Sequence, residues 1–446
     1  MGQNFLSCDR EQELLLPPSL REWLPEDHLA WFVLDAVEAI DLAAFYASYR
    51  ADGWGRAAHE PAMMVALLLY AYAIGERSSR AIERRCREDV AFRVICANQT
   101  PDHATIARFR ARHEQALADT FTSVLALCGR AGLVSVGTVA IDGTLIAANA
   151  SRAATRTHAA IREEVERILA DAARTDAAED AQHGDRRGNE LPPELADRRS
   201  RLARLRRCRE ELEAEQATEQ AAYEANLAWR AEWEAEHGRK LGGRKPTPPD
   251  PDALAGRKRN VTDPDSRLLR RAGRTPVQGY NAQLATGPGQ IILAADITPQ
   301  SNDSGQLEPM TSQAVETLTA AGIDRELDVV LADGGYWNSP QIRHLRQQGL
   351  EPIVPTKAAG RTTPRTLSPR QGAEADRIDR LLATPEGAAL YRRRQQLIEP
   401  VFAHTKFLRR IDRFQRRGLT ACRTEWRLIA ATHNLLKLWR ATTATA

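Results

Sequence analysis

Apolar positions along this chain change their period twice. From Asp27 to Val37 they recur at helical spacing, and Pro61 opens a nearly continuous apolar stretch through Ala73. Arg77 to Arg87, Asp89 to Cys96 and a segment starting at Thr100-Pro101 follow. There Thr100 and Pro101 have the residue types of an N-cap and a first helical position. Residues 1–135 are therefore expected to be all helical. In residues 151–260 Ala, Glu and Arg dominate, with leucines or alanines at helical spacing in His158 to Asp176 and Pro193 to Glu236. A break at Gly184-Asp185 divides the two runs, and the Gly- and Pro-rich stretch from Gly242 to Pro251 reads as a linker. This predicts a helical, coiled-coil-like insertion that gives no strand to a central sheet.

From Gln278 the period becomes that of strands. Gln278 to Ala285 alternates, Gly287-Pro288-Gly289 turns, and Gln290 to Asp296 is apolar again, which predicts a β-hairpin. A helix over 305–321, a strand at Val329–Ala332, a helix over 340–348 and a strand at Pro352–Pro355 follow. Residues 358–377 read as a Pro/Arg/Thr loop, and two closing helices run through Glu399 and Lys406 and from Thr424 to Trp439.

Two of the apolar strands share one grammar. Val329-Val330-Leu331-Ala332 is followed by Asp333 and a Gly pair, and Thr138-Val139-Ala140-Ile141 by Asp142-Gly143. Ligands of α/β sheets collect at the carboxyl ends of strands, so the two aspartates are candidates for one site. The plainer alternative is that Asp333 caps the next helix or makes an Asx-turn. Glu399, flanked by Leu397, Ile398, Val401 and Phe402, is the candidate third carboxylate. Clustered carboxylates raise one another's pKa unless a cation neutralises them, and the chemistry that uses such clusters is commonly two-metal phosphoryl transfer.

Composition changes the picture only in part. The 446 residues suffice for two or three domains, and the net charge of +3 conceals an arginine-rich C-terminal segment suited to an anionic partner. The six cysteines show no paired short spacing, which predicts neither a zinc module nor a disulfide framework. The first residues lack the features of a signal peptide, and Ala62–Ile74 is too short to cross a bilayer, so no membrane partner and a cytoplasmic location are expected.

Six stretches carry a specific resemblance: Pro101 to Arg110, Ala140 to Thr144, Thr262 to Arg267, Gln278 to Gln283, Leu331 to Tyr336, and Tyr391 through Lys406. Over essentially its whole length the chain resembles a DDE transposase of a bacterial insertion sequence, with an InsH-like helical N-terminal domain. The resemblance implies an α/β fold with a ribonuclease H-like mixed sheet. That sheet would occupy 136–150 and 261–446, be interrupted by the helical insertion at 151–260, and be preceded by a DNA-binding domain at 1–135. It makes Asp142, Asp333 and Glu399 the catalytic, metal-binding triad for two Mg2+ (or Mn2+) ions. Tyr391, Arg394 and Lys406 resemble the family's Tyr-Arg-Glu-Lys signature, although four residues rather than three separate Arg394 from Glu399. On a helix that shift turns Arg394 by about 100°. Glu399 and Lys406, seven positions apart, would share a helix face to within about 20°.

The implied partners are the terminal inverted repeats and target DNA, with a homodimer in the synaptic complex. DNA contacts are expected from Tyr391, Arg394 and Lys406, from Arg409, Arg410 and Arg413 in the basic run after the triad, and from Arg108 and Arg110. The first five helices could form a helix-turn-helix-like reader, or a bundle with a solvated basic face. His404 could reach the site or be a core or surface histidine, and Trp337 could stack on a base or fill the core. The implied activity is cutting of element ends and joining to target DNA. A ribonuclease H-like nuclease without strand transfer and a catalytically silent DNA-binding relative are the alternatives.

Overall fold

The fold was obtained as a computed structural model, which describes residues 19–49, 57–183, 201–243, 245–250, 252–270, 275–324, 326–356 and 369–444. The expected break at Gly184-Asp185 lies outside the described residues.

The N-terminal part is helical: α1 (Leu29–Glu38), α2 (Ala43–Tyr46), α3 (Pro61–Ala73), α4 (Ser79–Glu88), α5 (Val90–Ile95), α6 (His103–Arg112) and α7 (Glu114–Arg130). α3 starts with Pro61 at its first position, where a missing N–H costs no intrahelical bond. Its middle is buried on every face, which explains its unbroken apolar sequence. α6 departs from expectation at its start. Asp102, not Thr100, is the N-cap, its Oδ1 accepting from Thr105 N at 2.6 Å, and Pro101 lies before the cap.

The central sheet has the order β4-β5-β1-β7-β8, with β6 beside the second half of β5. Its strands are β1 (Thr138–Ala147), β4 (Arg267–Leu269), β5 (Val277–Thr286), β6 (Ile292–Thr298), β7 (Val329–Ala332) and β8 (Glu351–Ile353). β1 is antiparallel to β5 and parallel to β7, while β7 is parallel to β8. β1 and β5 approach so closely that a Cβ on Gly279 would fall onto the Ile146 carbonyl, which only glycine permits.

The insertion carries a separate two-stranded ribbon, β2 (Thr155–Thr157) and β3 (Lys258–Asn260). The ribbon is separate from the central sheet, and in it Thr155-Arg156-Thr157 pairs with Lys258-Arg259-Asn260 across the base of the insertion. Above the ribbon stand α8 (His158–His183) and α9 (Arg201–His237), with the short α10 (Ala253–Gly256). Ile161, Val165, Leu202, Leu205, Cys208 and Leu212 give them a hydrophobic core of their own, closed below by Val261.

The C-terminal half adds α11 (Leu307–Ala320), α12 (Ser339–Gln347), α13 (Pro369–Leu382), α14 (Pro385–Ala403) and α15 (Leu419–Ala444). Residues 369–377, expected as loop, belong to α13, whose Ala375 and Ile378 are buried in the main core. α15 is buried along most of its length, packed against α3 and α7 on one side and β6 on the other. One hydrophobic core therefore runs from the N-terminal helices through α15 into the sheet.

Candidate active site

Asp142 and Asp333 meet because of strand register. In the parallel β1–β7 ladder Ile141 pairs with Ala332, so the next residue of each strand is one of the two aspartates. Asp142 is not at a strand end, since β1 continues five residues further to Ala147. It is β7 that stops. Asp333 also fills its plainer role: its Oδ1 accepts from Gly335 N at 2.7 Å and caps a short 3-10 turn, Gly334–Tyr336.

The third side of the site is α14. Arg394 Nη1 donates to Asp142 Oδ2 at 3.0 Å, and its Nη2 stands 3.8 Å from Glu399 Oε1. The Tyr391 hydroxyl donates to the carbonyl of Ala332, immediately before Asp333, at 3.3 Å. The extra residue between Arg394 and Glu399 does not remove Arg394 from the site, because the long guanidinium stem spans the turn. Burial raises the Asp142 carboxyl to about 6; Arg394 lowers it and Asp333 raises it. Burial is the main cause, and the Arg394 guanidinium and the Gly143 N–H offset it in part.

Lys406 does not lie on a continuous α-helix with Glu399. Pro400 lies inside α14, and His404–Leu408 form a π-helical turn, so the helical angle expected between Glu399 and Lys406 does not apply. The Lys406 ammonium nevertheless sits on Asp142's side of β1, donating to Thr144 Oγ1 at 2.5 Å and to the Leu145 carbonyl at 3.0 Å.

Two residues of the expected DNA-contact set are placed elsewhere. Arg409 is buried, and its guanidinium donates to the carbonyls of Tyr72 and Ile429 and to Thr432 Oγ1. Arg110 is buried as well, donating to the Tyr72 hydroxyl, the Arg77 carbonyl and Ser79 Oγ. Both are structural bridges, since a guanidinium taken out of water must find acceptors inside the protein. Arg108, Arg410 and Arg413 are exposed. Trp337 is a core residue, and His404 faces His433, with Nδ1 atoms 3.1 Å apart, rather than the carboxylates.

The sequence reading missed Asp303. Its Oδ1 accepts from Asn281 Nδ2 at 2.7 Å and Gln283 Nε2 at 2.8 Å, on the face of the sheet to which Gly143 turns. The Tyr336 hydroxyl donates to Gln283 Oε1 and ties this network to the turn after Asp333. A Cβ on Gly143 would fall 2.8 Å from Asn281 Oδ1 and 2.9 Å from Asp303 Oδ1, which explains why glycine follows Asp142. The amide pair Asn281 and Gln283, two apart and so on one face of β5, was the available signal. Asp263 and Asp265 also gain a structural role. They accept from Gly418 N and Leu419 N at the start of α15, and Asp263 also from the Tyr280 hydroxyl.

Among the described residues no three His, Cys, Asp or Glu side chains stand as a ready metal cage. The donors nevertheless suit a hard divalent ion: all are carboxylate oxygens, and the Asp142 charge lacks full compensation. Glu399, with 56% of its side chain exposed, is free to turn toward the pair.

Beyond the carboxylates β1 leads to an open cavity of about 760 Å³, bordered by Asn149, Arg152, Gln278, Arg413 and Arg417. Among the described residues no helix is long and apolar enough to cross a membrane. Two family models match the sequence: a transposase domain of the DUF772 type over residues 18–112 and a transposase DDE domain over residues 256–435. No curated protein and no solved structure matches it. The first model spans helices α1 to α6 and the second spans Asp333, Arg394 and Glu399, so the chain belongs to the DDE transposases of insertion elements.

Proposed function

We propose that this chain is a metal-dependent DNA transposase that cuts the ends of its element and joins them to target DNA at a site built from Asp142, Asp333 and Glu399. The observation that carries the reading is the register that sets Asp142 beside Asp333, with Arg394 linking Asp142 to Glu399. The strand directions, with one antiparallel hairpin beside three parallel strands, support a ribonuclease H-like fold.

In this reading Asp142, Asp333 and Glu399 hold two divalent ions, Mg2+ or Mn2+. When bound, such ions supply an activated water and stabilise the leaving oxygen of a phosphodiester. Arg394 holds the Asp142 carboxylate in place and offsets its charge. Tyr391 fixes α14 against the end of β7. Lys406, Arg410 and Arg413 present positive charge along the β1 side, where a DNA backbone would lie, and Arg108 offers a further contact on the N-terminal helices. Residues 1–135 grip the DNA ends, residues 151–260 stand outside the catalytic sheet, and two chains meet when two ends are synapsed.

The test uses a duplex bearing the inverted repeat that flanks the encoding gene. Asp142→Ala, Asp333→Ala and Glu399→Ala should each lower Mg2+-dependent strand cleavage by at least about 100-fold while terminal DNA is still bound. Ca2+ should support binding but little cleavage, because its looser coordination fits two-ion chemistry poorly. Robust cleavage by any of the three variants removes that residue from the site. Cleavage without joining to a target plasmid would mark a nuclease, and binding without cleavage a silent relative.

A further inference from the structure

Directly after Lys406, eight and nine positions beyond Glu399, the chain exposes two large apolar side chains. Phe407 is 79% and Leu408 76% exposed, whereas the next most exposed large apolar residue among those described, Trp229, is 54%. Single exposed apolar residues need no explanation, but this adjacent pair is held out by its neighbours. Lys406 on one side is bonded to Thr144 and Leu145 of β1, and Arg409 on the other is buried between α3 and α15. The backbone between these anchors is unusual twice over: a π-helical turn over His404–Leu408, then Arg410 in the left-handed region at φ 53°. Neither conformation is cheap for an ordinary sequence, so the anchors on either side are what hold the tip in this shape. The Arg409 N–H to His404 carbonyl and Ile411 N–H to Thr405 carbonyl bonds, each 3.0 Å, close the turn.

The tip is tied to the strand that carries Asp142. Lys406 is fastened to Thr144, two residues beyond Asp142 on the same face of β1, which is about 7 Å along the strand. Exposed Arg410, Arg413 and Arg417 follow the tip, and the last two border the open cavity at the end of β1. An apolar point between a basic track and a phosphodiester-cutting site has the chemistry of a wedge for nucleic acid bases: cations take the phosphates, and the apolar side chains take a base face.

We propose that Phe407, backed by Leu408, inserts into the DNA next to the scissile phosphate and stacks on a base displaced from the helix. This rests on the transposase reading above, because it needs DNA in the site. The wedge opens the duplex where the phosphodiester must enter the carboxylate cluster. It recognises the unstacked state of the DNA rather than a base sequence.

The experiment uses the full chain and the terminal-repeat duplex with 2-aminopurine at each position flanking the cleaved phosphate in turn, in Ca2+. Wild type and Asp333→Ala should raise 2-aminopurine fluorescence at one position. Phe407→Ala should abolish that rise and Phe407→Trp restore it. Phe407→Ala should cut cleavage in Mg2+ by about 10-fold or more. An abasic site or mismatch at the responding position should restore much of it, since the DNA is then already unstacked. The proposal is overturned if wild type cleaves with no fluorescence change at any position, or if Phe407→Ala matches wild type in both readouts. It is also overturned if sedimentation of the DNA-free proteins shows wild type dimeric and Phe407→Ala monomeric, which makes the tip a contact between copies of this chain. If wild type neither binds nor cleaves terminal DNA, the transposase reading fails and the wedge with it.

Discussion

At the scale of single residues, the site depends on side chains that balance one another's charge. Arg394 is the main positive partner of Asp142 in the metal-free protein. Arg394→Ala should lower metal-free stability by about 2 kcal/mol above pH 6, less than for a fully buried pair because both groups touch solvent. The loss should fade as pH falls toward about 6, because without Arg394 the Asp142 carboxyl takes up its proton at a higher pH than in wild type. Urea unfolding at several pH values checks this, and added Mg2+ should restore part of the loss in Arg394→Ala but not in an Asp142→Ala protein. Gly143 makes the opposite kind of demand. With Asn281, Gln283 and Asp303 packed beneath it, Gly143→Ala should cost about 1–3 kcal/mol by overpacking, visible as a lower urea midpoint with an unchanged slope. A neutral Gly143→Ala would mean the Asp303 network can move aside.

At the scale of elements, the joint between α14 and α15 carries a histidine pair, His433 buried and His404 half-buried. His433 Nε2 donates to the Gln290 carbonyl, so its Nδ1 accepts the proton held by His404 Nδ1. Burial is the first cause of depression in both: it lowers His404 to about 4 and His433 well below its usual range. Arg409 and Lys437 face both rings and add to the depression, and Arg440 adds to it for His404. Both are neutral in the folded chain and take up protons on unfolding, so their contribution is intact above pH 6.5 and is lost as pH falls from there through 4. The pH slope of the unfolding free energy in that window should flatten in a His404→Leu, His433→Leu double variant, and an unchanged slope would remove the pair from the acid response.

The insertion is a second separable element. Thr157 and Lys258 are directly paired in the β2–β3 ribbon, so a short turn can close it in place of α8 to α10. The shortened chain should keep the far-UV signature and melting of the remaining domain to within a few degrees, despite losing the Arg207–Asp265 and Arg267–Glu215 ion pairs at its base. An aggregating product would show that the insertion's core supports the sheet.

At the scale of the whole molecule, buried arginines lock the N-terminal helices to the C-terminal half. Arg77 donates to the buried Glu425 at 2.8 Å and to the Arg413 carbonyl at 2.7 Å, while Arg409 reaches across to α3. Arg409→Met keeps volume but removes the guanidinium that joins the Tyr72 carbonyl of α3 to the Ile429 carbonyl and Thr432 of α15, at a cost of about 1–3 kcal/mol. Because one hydrophobic core spans both parts, calorimetry should show a single transition that shifts as one. Two resolved transitions would mean the parts unfold independently.

The periodicity of the chain was enough to place most helices, the hairpin of β5 and β6, the insertion and the two aspartates, because these depend on local patterns of apolar residues. The apolar flanks of Glu399 made it the candidate third carboxylate, and the resemblance added the family itself. What the sequence could not settle was which charged groups face inward. Arg409 and Arg410 are neighbours in one basic run, yet one is buried against α3 and the other exposed. Arg110 and Arg108 divide in the same way on α6. Composition treats each pair alike. Only tertiary packing decides, because a charge can be buried only where carbonyls from distant segments converge on it, and those segments are brought together by the fold.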